Sequence, residues 1–312
     1  MIINGRTLSA FLHVKDGAEY DDGYADGKQA EYDRFWDAFQ ENGNKINYAY
    51  TFGGFTDETF APKYNIVFGN GERARYAFQR CAVTDLKGIL ERGGVSIDLT
   101  RTTESHSHFY NMPENTRLPK MDYSHLAVRH YNTFAVSPKL VEIEEFVVNV
   151  EATFAQVFNG CTSLTTIKIG GAIGQSGLSF GDSPNLSDNS LYSIADALVD
   201  RTAVWIKGSE YVPQSDYFIV NDYLYGSTNY VGPCFTTTGE QVYVGVEYED
   251  ESQTFYTSTV FVCVVDGKYY TCTPTDNTDT YTITLNSTLQ NTEGGLYFSD
   301  KAVQKGWTVV WK

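Results

Sequence analysis

The sequence predicts a strand-dominated α+β fold: a short solenoid of stacked repeats, with an N-terminal helical cap and an inserted antiparallel β-domain. Two observations predict it. In FNGCTSLTTIKI, Phe158, Cys161, Leu164, Ile167 and Ile169 fall at offsets 0, +3, +6, +9 and +11. That pattern begins at helical spacing and ends at strand spacing. FAVSPKLVEIEEF keeps the first offsets 24 residues earlier (158 − 134), with Phe134, Ser137, Leu140 and Ile143. One such unit cannot bury its apolar side alone, so stacked neighbours are expected. The second observation is a change of character over residues 202–279, where alternating Tyr/Val/Thr-rich runs replace the repeat and read as strands.

Taken in order, residues 1–70 form an arm, an aromatic helix and a cap. Ile2–Asn4 and Thr7–Val14 read as a strand turned at Asn4-Gly5. Over 19–41, Tyr20, Tyr24, Tyr32, Phe35, Trp36 and Phe39 recur at three- and four-residue steps as one helical stripe. Gly43 closes the helix. Gly23 and Gly27 share a face and allow close approach of another backbone, either a second copy or the same domain. Residues 44–70 are aromatic and Gly-rich without a period, as suits a cap over the open end of a solenoid.

Residues 71–201 carry the repeats. AFQRCAVTDLKGIL keeps Phe78 and Cys81, then drifts before Leu86 and Ile89; Phe109, Met112 and Leu118 mark a degenerate second unit. Val95, Ile97 and Leu99, then Phe146, Val148 and Val150, alternate as strands. Ser187 or Asp188 caps a helix that carries Leu191, Ile194, Ala195 and Leu198. Residues 202–279 form the inserted domain of roughly six strands, with turns at Asn221-Asp222, Thr238-Gly239 and Asp266-Gly267. Residues 280–312 close the solenoid: a strand over 282–285, a Gly294-Gly295 turn, and a last strand over 307–311 after Gly306.

A formal charge of −16 argues against nucleic acid, whose binders cluster Lys and Arg on phosphates, and against an anionic membrane surface. No apolar run approaches the length of a membrane span. MIINGRTLSAFLHV lacks a basic region followed by a long apolar core, so it is not read as a secretory signal. Five dispersed cysteines contain no CxxC pair, which speaks against structural zinc. Cys81 and Cys161 occupy a small buried repeat position. Cys263 and Cys272 flank VVDGKYYT and can face each other across a hairpin; a bridge and free thiols both fit that spacing.

Three clusters invite chemistry. Glu104, His106 and His108 would share a strand face, with His125 and His130 in reach from the next coil, but the third ligand is unplaced and a solvated polar face is expected. Asp16, Asp21, Asp22 and Asp26 lack the order of a calcium loop, and helix N-terminal acidity accounts for Asp21 and Asp22. Glu247, Glu249, Asp250 and Glu251 read as a turn rather than a carboxylate pair across a cleft. No nucleophile, phosphate or dinucleotide motif is present, and no cofactor is called for. The inserted domain is the better candidate. Tyr211, Tyr217, Tyr223, Tyr225, Tyr230, Tyr243, Tyr248 and Tyr256 offer rigid area with a polar tip for stacking on sugar rings or protein.

Phe-x-x-Cys-x-x-Leu-x-x-Ile-x-Ile in FNGCTSLTTIKI resembles the leucine-rich repeat of BspA-like bacterial surface antigens, over about a third of the chain. The order of parts resembles leucine-rich-repeat proteins of phages and prophages of gut Firmicutes. The residues that carry it are GYADGKQAEYDRFWDAFQENGN (23–44), TDLKGILERGGVSID (84–98), RLPKMD (117–122), FNGCTSLTTIKIGGAIGQSGLSF (158–180) and KGWTVVW (305–311). The insertion at 202–279 and the second repeat depart from that pattern. The resemblance implies a virion-associated structural protein of the tail fibre, baseplate or head periphery, without catalysis. Its expected partners are other virion proteins, to which the N-terminal helix or arm would dock, and a host-surface protein or glycan; a homo-oligomer is compatible with that arrangement. A bacterial surface adhesin and a glycan-acting enzyme are the alternatives.

Overall fold

The fold comes from a computed structural model that describes residues 45–46, 52, 55–56, 58–59, 62–69, 75–212, 217–218, 234–248, 256–277 and 279–312. The strand expected over 2–14, the aromatic helix over 19–41, the Asp16–Asp26 cluster and most of the cap lie outside the described residues.

The described strands fall into five small sheets. The first is parallel: β1 (Lys45–Ile46), β2 (Ile66–Phe68) and β3 (Ile97–Asp98). In the second, β4 (Arg117–Leu118), β5 (Met121–Asp122) and β9 (Thr166–Gly171) all pair in parallel with β7 (Glu142–Val148). A two-stranded parallel sheet joins β6 (Arg129–Tyr131) to β8 (Thr153–Ala155). A third parallel set runs β10 (Ser179–Phe180), β17 (Tyr281–Leu285), β18 (Trp307–Trp311). The fifth sheet is antiparallel and holds β11 (Ala203–Val212), β12 (Tyr217–Phe218), β13 (Cys234–Phe235), β14 (Gln241–Tyr248), β15 (Tyr256–Val265) and β16 (Lys268–Asp276). Three α-helices stand among the described residues: α1 (Leu86–Gly93), α2 (Asp188–Ala197) and α3 (Glu293–Gln304).

This corrects the expected leucine-rich-repeat solenoid. Such a fold lays one strand per repeat into one continuous sheet; here the strands are shared among five sheets and helices interrupt them. The spacing explains the difference. Phe109 precedes Phe134 by 25 residues, but Phe78 precedes Phe109 by 31. The extra length is taken by α1, where Leu86 and Ile89 were expected as repeat positions. Asp85 caps α1 by accepting from Gly88 N–H, and Gly94 ends it in the left-handed region at φ 63°. The strand β9 meets α2 on its far side instead of another strand.

The periodic residues nonetheless make the core. Phe52, Phe78, Phe109, Phe134, Phe158 and Phe180 are all buried and stack in sequence, with ring centroids 4.7, 5.2, 5.9, 5.5 and 4.6 Å apart. Four of these rings sit midway between two residues of positive φ. Tyr76 and Arg80 flank Phe78, Ser107 and Asn111 flank Phe109, Asn132 and Val136 flank Phe134, and Gln156 and Gly160 flank Phe158. Seven of those eight are not glycine, and each such residue costs about 1 kcal/mol in the left-handed region. The turn is held by the next coil: Phe78, Phe109 and Phe134 donate their N–H groups to His108, Thr133 and Val157 carbonyls. Below the rings, Leu140, Ile143, Cys161, Leu164, Ile167 and Ile169 are buried.

The Gly294-Gly295 turn expected before the last strand is also corrected. Thr292 caps α3 there, accepting from Gly295 N–H, and both glycines lie in the first helical turn. Their smallness serves packing. A Cβ on Gly295 would stand 1.9 Å from the Leu289 carbonyl oxygen, and one on Gly294 2.6 Å from Asp188 Oδ1. Gly295→Ala is expected to cost about 1–3 kcal/mol through overpacking, read as a lowered urea midpoint with an unchanged slope.

Candidate functional site

The antiparallel sheet is the candidate surface, and its geometry follows from one turn. Asp266 and Gly267 both have positive φ, 49° and 72°, as a two-residue hairpin of the type I′ kind requires. That fixes Val265 opposite Lys268, Val264 opposite Tyr269 and Cys263 opposite Tyr270. Side chains then alternate between the two faces.

One face packs a small core of its own: Trp205, Cys234, Val242, Cys263 and Cys272, with Phe261, Val265 and Tyr270 against them. Trp205 lies 4.5 Å from the Phe261 ring. Lys207 closes the rim, its ammonium 4.7 Å above Tyr270 and 3.8 Å from Glu240. The other face leaves apolar groups in water. Ile206 is 49 % and Val264 36 % exposed, and their cross-strand partners are Thr273 and Tyr269. The row between them, Tyr243, Val262 and Thr271, is covered: Val262 is fully buried, and Tyr243 and Thr271 are half-buried, so the exposed apolar groups of this face are Ile206 and Val264. The domain is tied to the body at its root. The Arg201 guanidinium donates to Gly174 O and stacks 4.8 Å from the Tyr281 ring, and Asn277 donates to Arg201 O.

Of the tyrosines the sequence singles out, Tyr243 is half-buried, opposite Val262. Tyr248 and Tyr256 are direct cross-strand partners, Tyr211 pairs with Tyr270, and Tyr217 with Glu247. Tyr223, Tyr225 and Tyr230 lie outside the described residues, as do Glu249, Asp250 and Glu251. Ile206, Val264 and Tyr269 were not singled out by sequence. Counting alternation back from the Asp266-Gly267 turn would have placed Val264 and Tyr269 on one face.

All five cysteines are free and buried. Cys263 and Cys272 are diagonal rather than direct neighbours, since Cys272 faces Phe261. Their thiols nonetheless reach each other as hydrogen-bond partners, unbridged. Desolvation pushes the thiols of Cys81, Cys161 and Cys234 up to about 12 and also raises Cys263 and Cys272, so none is poised as a nucleophile.

The solvated histidine face is corrected. His106 is half-buried between Tyr131, 4.8 Å away, and Tyr76, 5.9 Å away. Glu104 pairs with Arg75 at 2.8 Å, and His125 Nε2 lies 3.0 Å from Thr102 O. His108 and His130 are fully buried. His108 Nδ1 lies 3.0 Å from the Tyr123 hydroxyl, while His108 Nε2 and both ring nitrogens of His130 have no hydrogen-bond partner. The turn at Ser107–Asn111 that carries Phe109 inward carries His108 with it, and His130 on β6 packs between Phe146 and Phe154. Among the described residues no three His, Cys, Asp or Glu side chains come together as a metal site, and no helix is long and apolar enough to cross a membrane. Protein-family models, curated proteins and solved structures contain no match to this chain.

Proposed function

We propose that the chain is a non-enzymatic structural protein of a phage particle, at the tail or head periphery, and that its antiparallel sheet binds the host surface. The observation that carries the reading is the outward sheet face with Ile206 and Val264 exposed beside Tyr269, Thr271 and Thr273. Exposed apolar groups among Tyr and Thr suit contact with a protein or a glycan. The opposite face is already used by the domain's own core, so the exposed side chains are not needed for folding. The likeness of the stretches at 23–44, 84–98, 117–122, 158–180 and 305–311 to phage-encoded proteins supports the particle as the setting.

Mass spectrometry of purified virions should find the chain, and its absence from particles would sink the reading. The full chain, added to host cells, should compete with phage adsorption. The double change Ile206→Asp and Val264→Asp should weaken that competition at least about tenfold, as loss of a contact centre does, with an unchanged melting temperature. Undiminished competition by the variant would remove this face from the role.

A further inference from the structure

In the parallel sheet β10-β17-β18, β18 is the strand at one edge. Among the described residues β18 pairs only with β17. Lys312 N–H donates to Leu285 O, and Lys312 O accepts from Ser287. In a parallel strand the backbone groups of alternate residues point to opposite sides, so Thr308 and Val310 face β17 while Trp307, Val309 and Trp311 present theirs outward. The strand WTVVW carries none of the devices that blunt an edge: no proline, no charge, no bulge.

The helix of the same terminal layer presents a matching surface. The side of α3 that meets α2 is set by Gly294, bonded to Asp188, by Tyr297, bonded to Asp196, and by Lys305, bonded to Ala195 O. At 3.6 residues per turn, Leu296 and Val303 lie nearly opposite that side. They are 57 % and 69 % exposed. The strand edge looks away from β17 and this helix face looks away from α2. Solvent-facing helix sides are ordinarily polar.

We propose that this edge is where a second copy of the chain docks, β18 pairing antiparallel with β18 of the copy and α3 lying antiparallel against α3. The pattern is self-complementary, as a two-fold interface requires. An axis at Val309 sets Trp307 opposite Trp311 of the copy, and all three outward-facing residues exchange backbone hydrogen bonds in one register. The same axis sets Leu296 opposite Val303. The two helices would run antiparallel, an arrangement that opposed helix dipoles favour. The strand edge alone is about 17 Å long, short for an interface that should bury about 1,200 Å², so the helix face is a necessary part. Asp300, exposed between Leu296 and Val303, is the one acid near the axis and opposes its own copy.

Sedimentation of the full chain across micromolar concentrations should give twice the chain mass. Val303→Asp and, separately, Leu296→Asp should each raise the dissociation constant at least about tenfold, and Asp300→Asn should lower it. All three sites are exposed, so the circular-dichroism spectrum should not change, and the melting temperature should not move at concentrations low enough for the chain to be monomeric. A monomer at every concentration overturns the proposal. So does a dimer indifferent to Val303→Asp and Leu296→Asp, which would place the interface elsewhere, for example on the segment at 19–41.

Discussion

Phe158→Ala lowers the stability of the chain by about 3–5 kcal/mol, the cost of removing a buried aromatic ring from a packed core. The ring is 1 % exposed and stands between Phe134, 5.5 Å away, and Phe180, 4.6 Å away, with Phe146 edge-on at 5.9 Å. Its loss therefore opens a gap in the middle of the stacked series, and no flexible neighbour is placed to fill it. The turn around it makes matters worse. Gln156 and Gly160 are held at positive φ, and the inward ring is what keeps that turn against the preceding coil, where Val157 O accepts from Phe134. Phe158→Leu restores most of the volume without the stacked geometry and should cost about 1–2 kcal/mol. Urea unfolding of both variants checks the pair. A loss below about 1 kcal/mol for the alanine variant would mean the rings pack independently of one another.

The same residues show how far the sequence could be read. Phe134, Leu140, Ile143, Phe158, Cys161, Leu164, Ile167 and Ile169 are recognisable as core from spacing alone, and each is buried. The Ser187 cap of α2 and the strands at 281–285 and 307–311 were legible for the same reason: a cap or an alternation is a local signal. What spacing could not give was how the strands are shared out. The sheet partner of β9 is decided by whether the next coil offers a strand or a helix, and in α2 helix periodicity wins. Gly294-Gly295 misled because two glycines are a turn signal in sequence, while here their use is steric: Leu289 and Asp188 approach too closely for any Cβ. On the candidate surface, the hairpin turn was legible but the exposed side was not. The run from Val260 to Val265 is apolar on both faces, so alternation could not choose between them, and the position of Trp205 over Phe261 marks the inward one. The histidines misled for a related reason. ESHSH has the composition of a solvated loop, and it is the turn carrying Phe109 inward that buries His108.

That burial makes the chain sensitive to mild acid. Desolvation lowers His108 to about 3 and His130 to about 4, against about 6.5 in the unfolded chain. The folded values are depressed, so the stability these groups allow is present above pH 6.5 and is lost as pH falls toward 4 and then 3. The groups around them offer no relief. His108 faces Tyr123, Phe68 and Phe109, and the charges that reach it are those of His130 and His106, which oppose protonation further. His130 lies among Tyr123, Phe146 and Phe154. At pH 5 each imidazole would take up a proton on unfolding at a cost to the folded state of about 2 kcal/mol, so the pair removes about 4 kcal/mol relative to pH 7.5. Carboxylates also contribute to acid unfolding: Asp122, and Glu145 held low by Lys120 and Lys168. They act below their ordinary range near pH 4, so the interval from 6.5 to 5 belongs to the histidines. Urea unfolding across that interval should show the loss in the parent chain. His130→Phe should flatten the slope by a little less than half, because an apolar ring of similar shape can take the place between Phe154 and Phe146 without a site for the proton, while His108 and, to a smaller extent, His106, also lowered by burial, still contribute. A parent chain equally stable at pH 7.5 and 5, or a slope unchanged in His130→Phe, would show that the two imidazoles are reached by water and protonate in place.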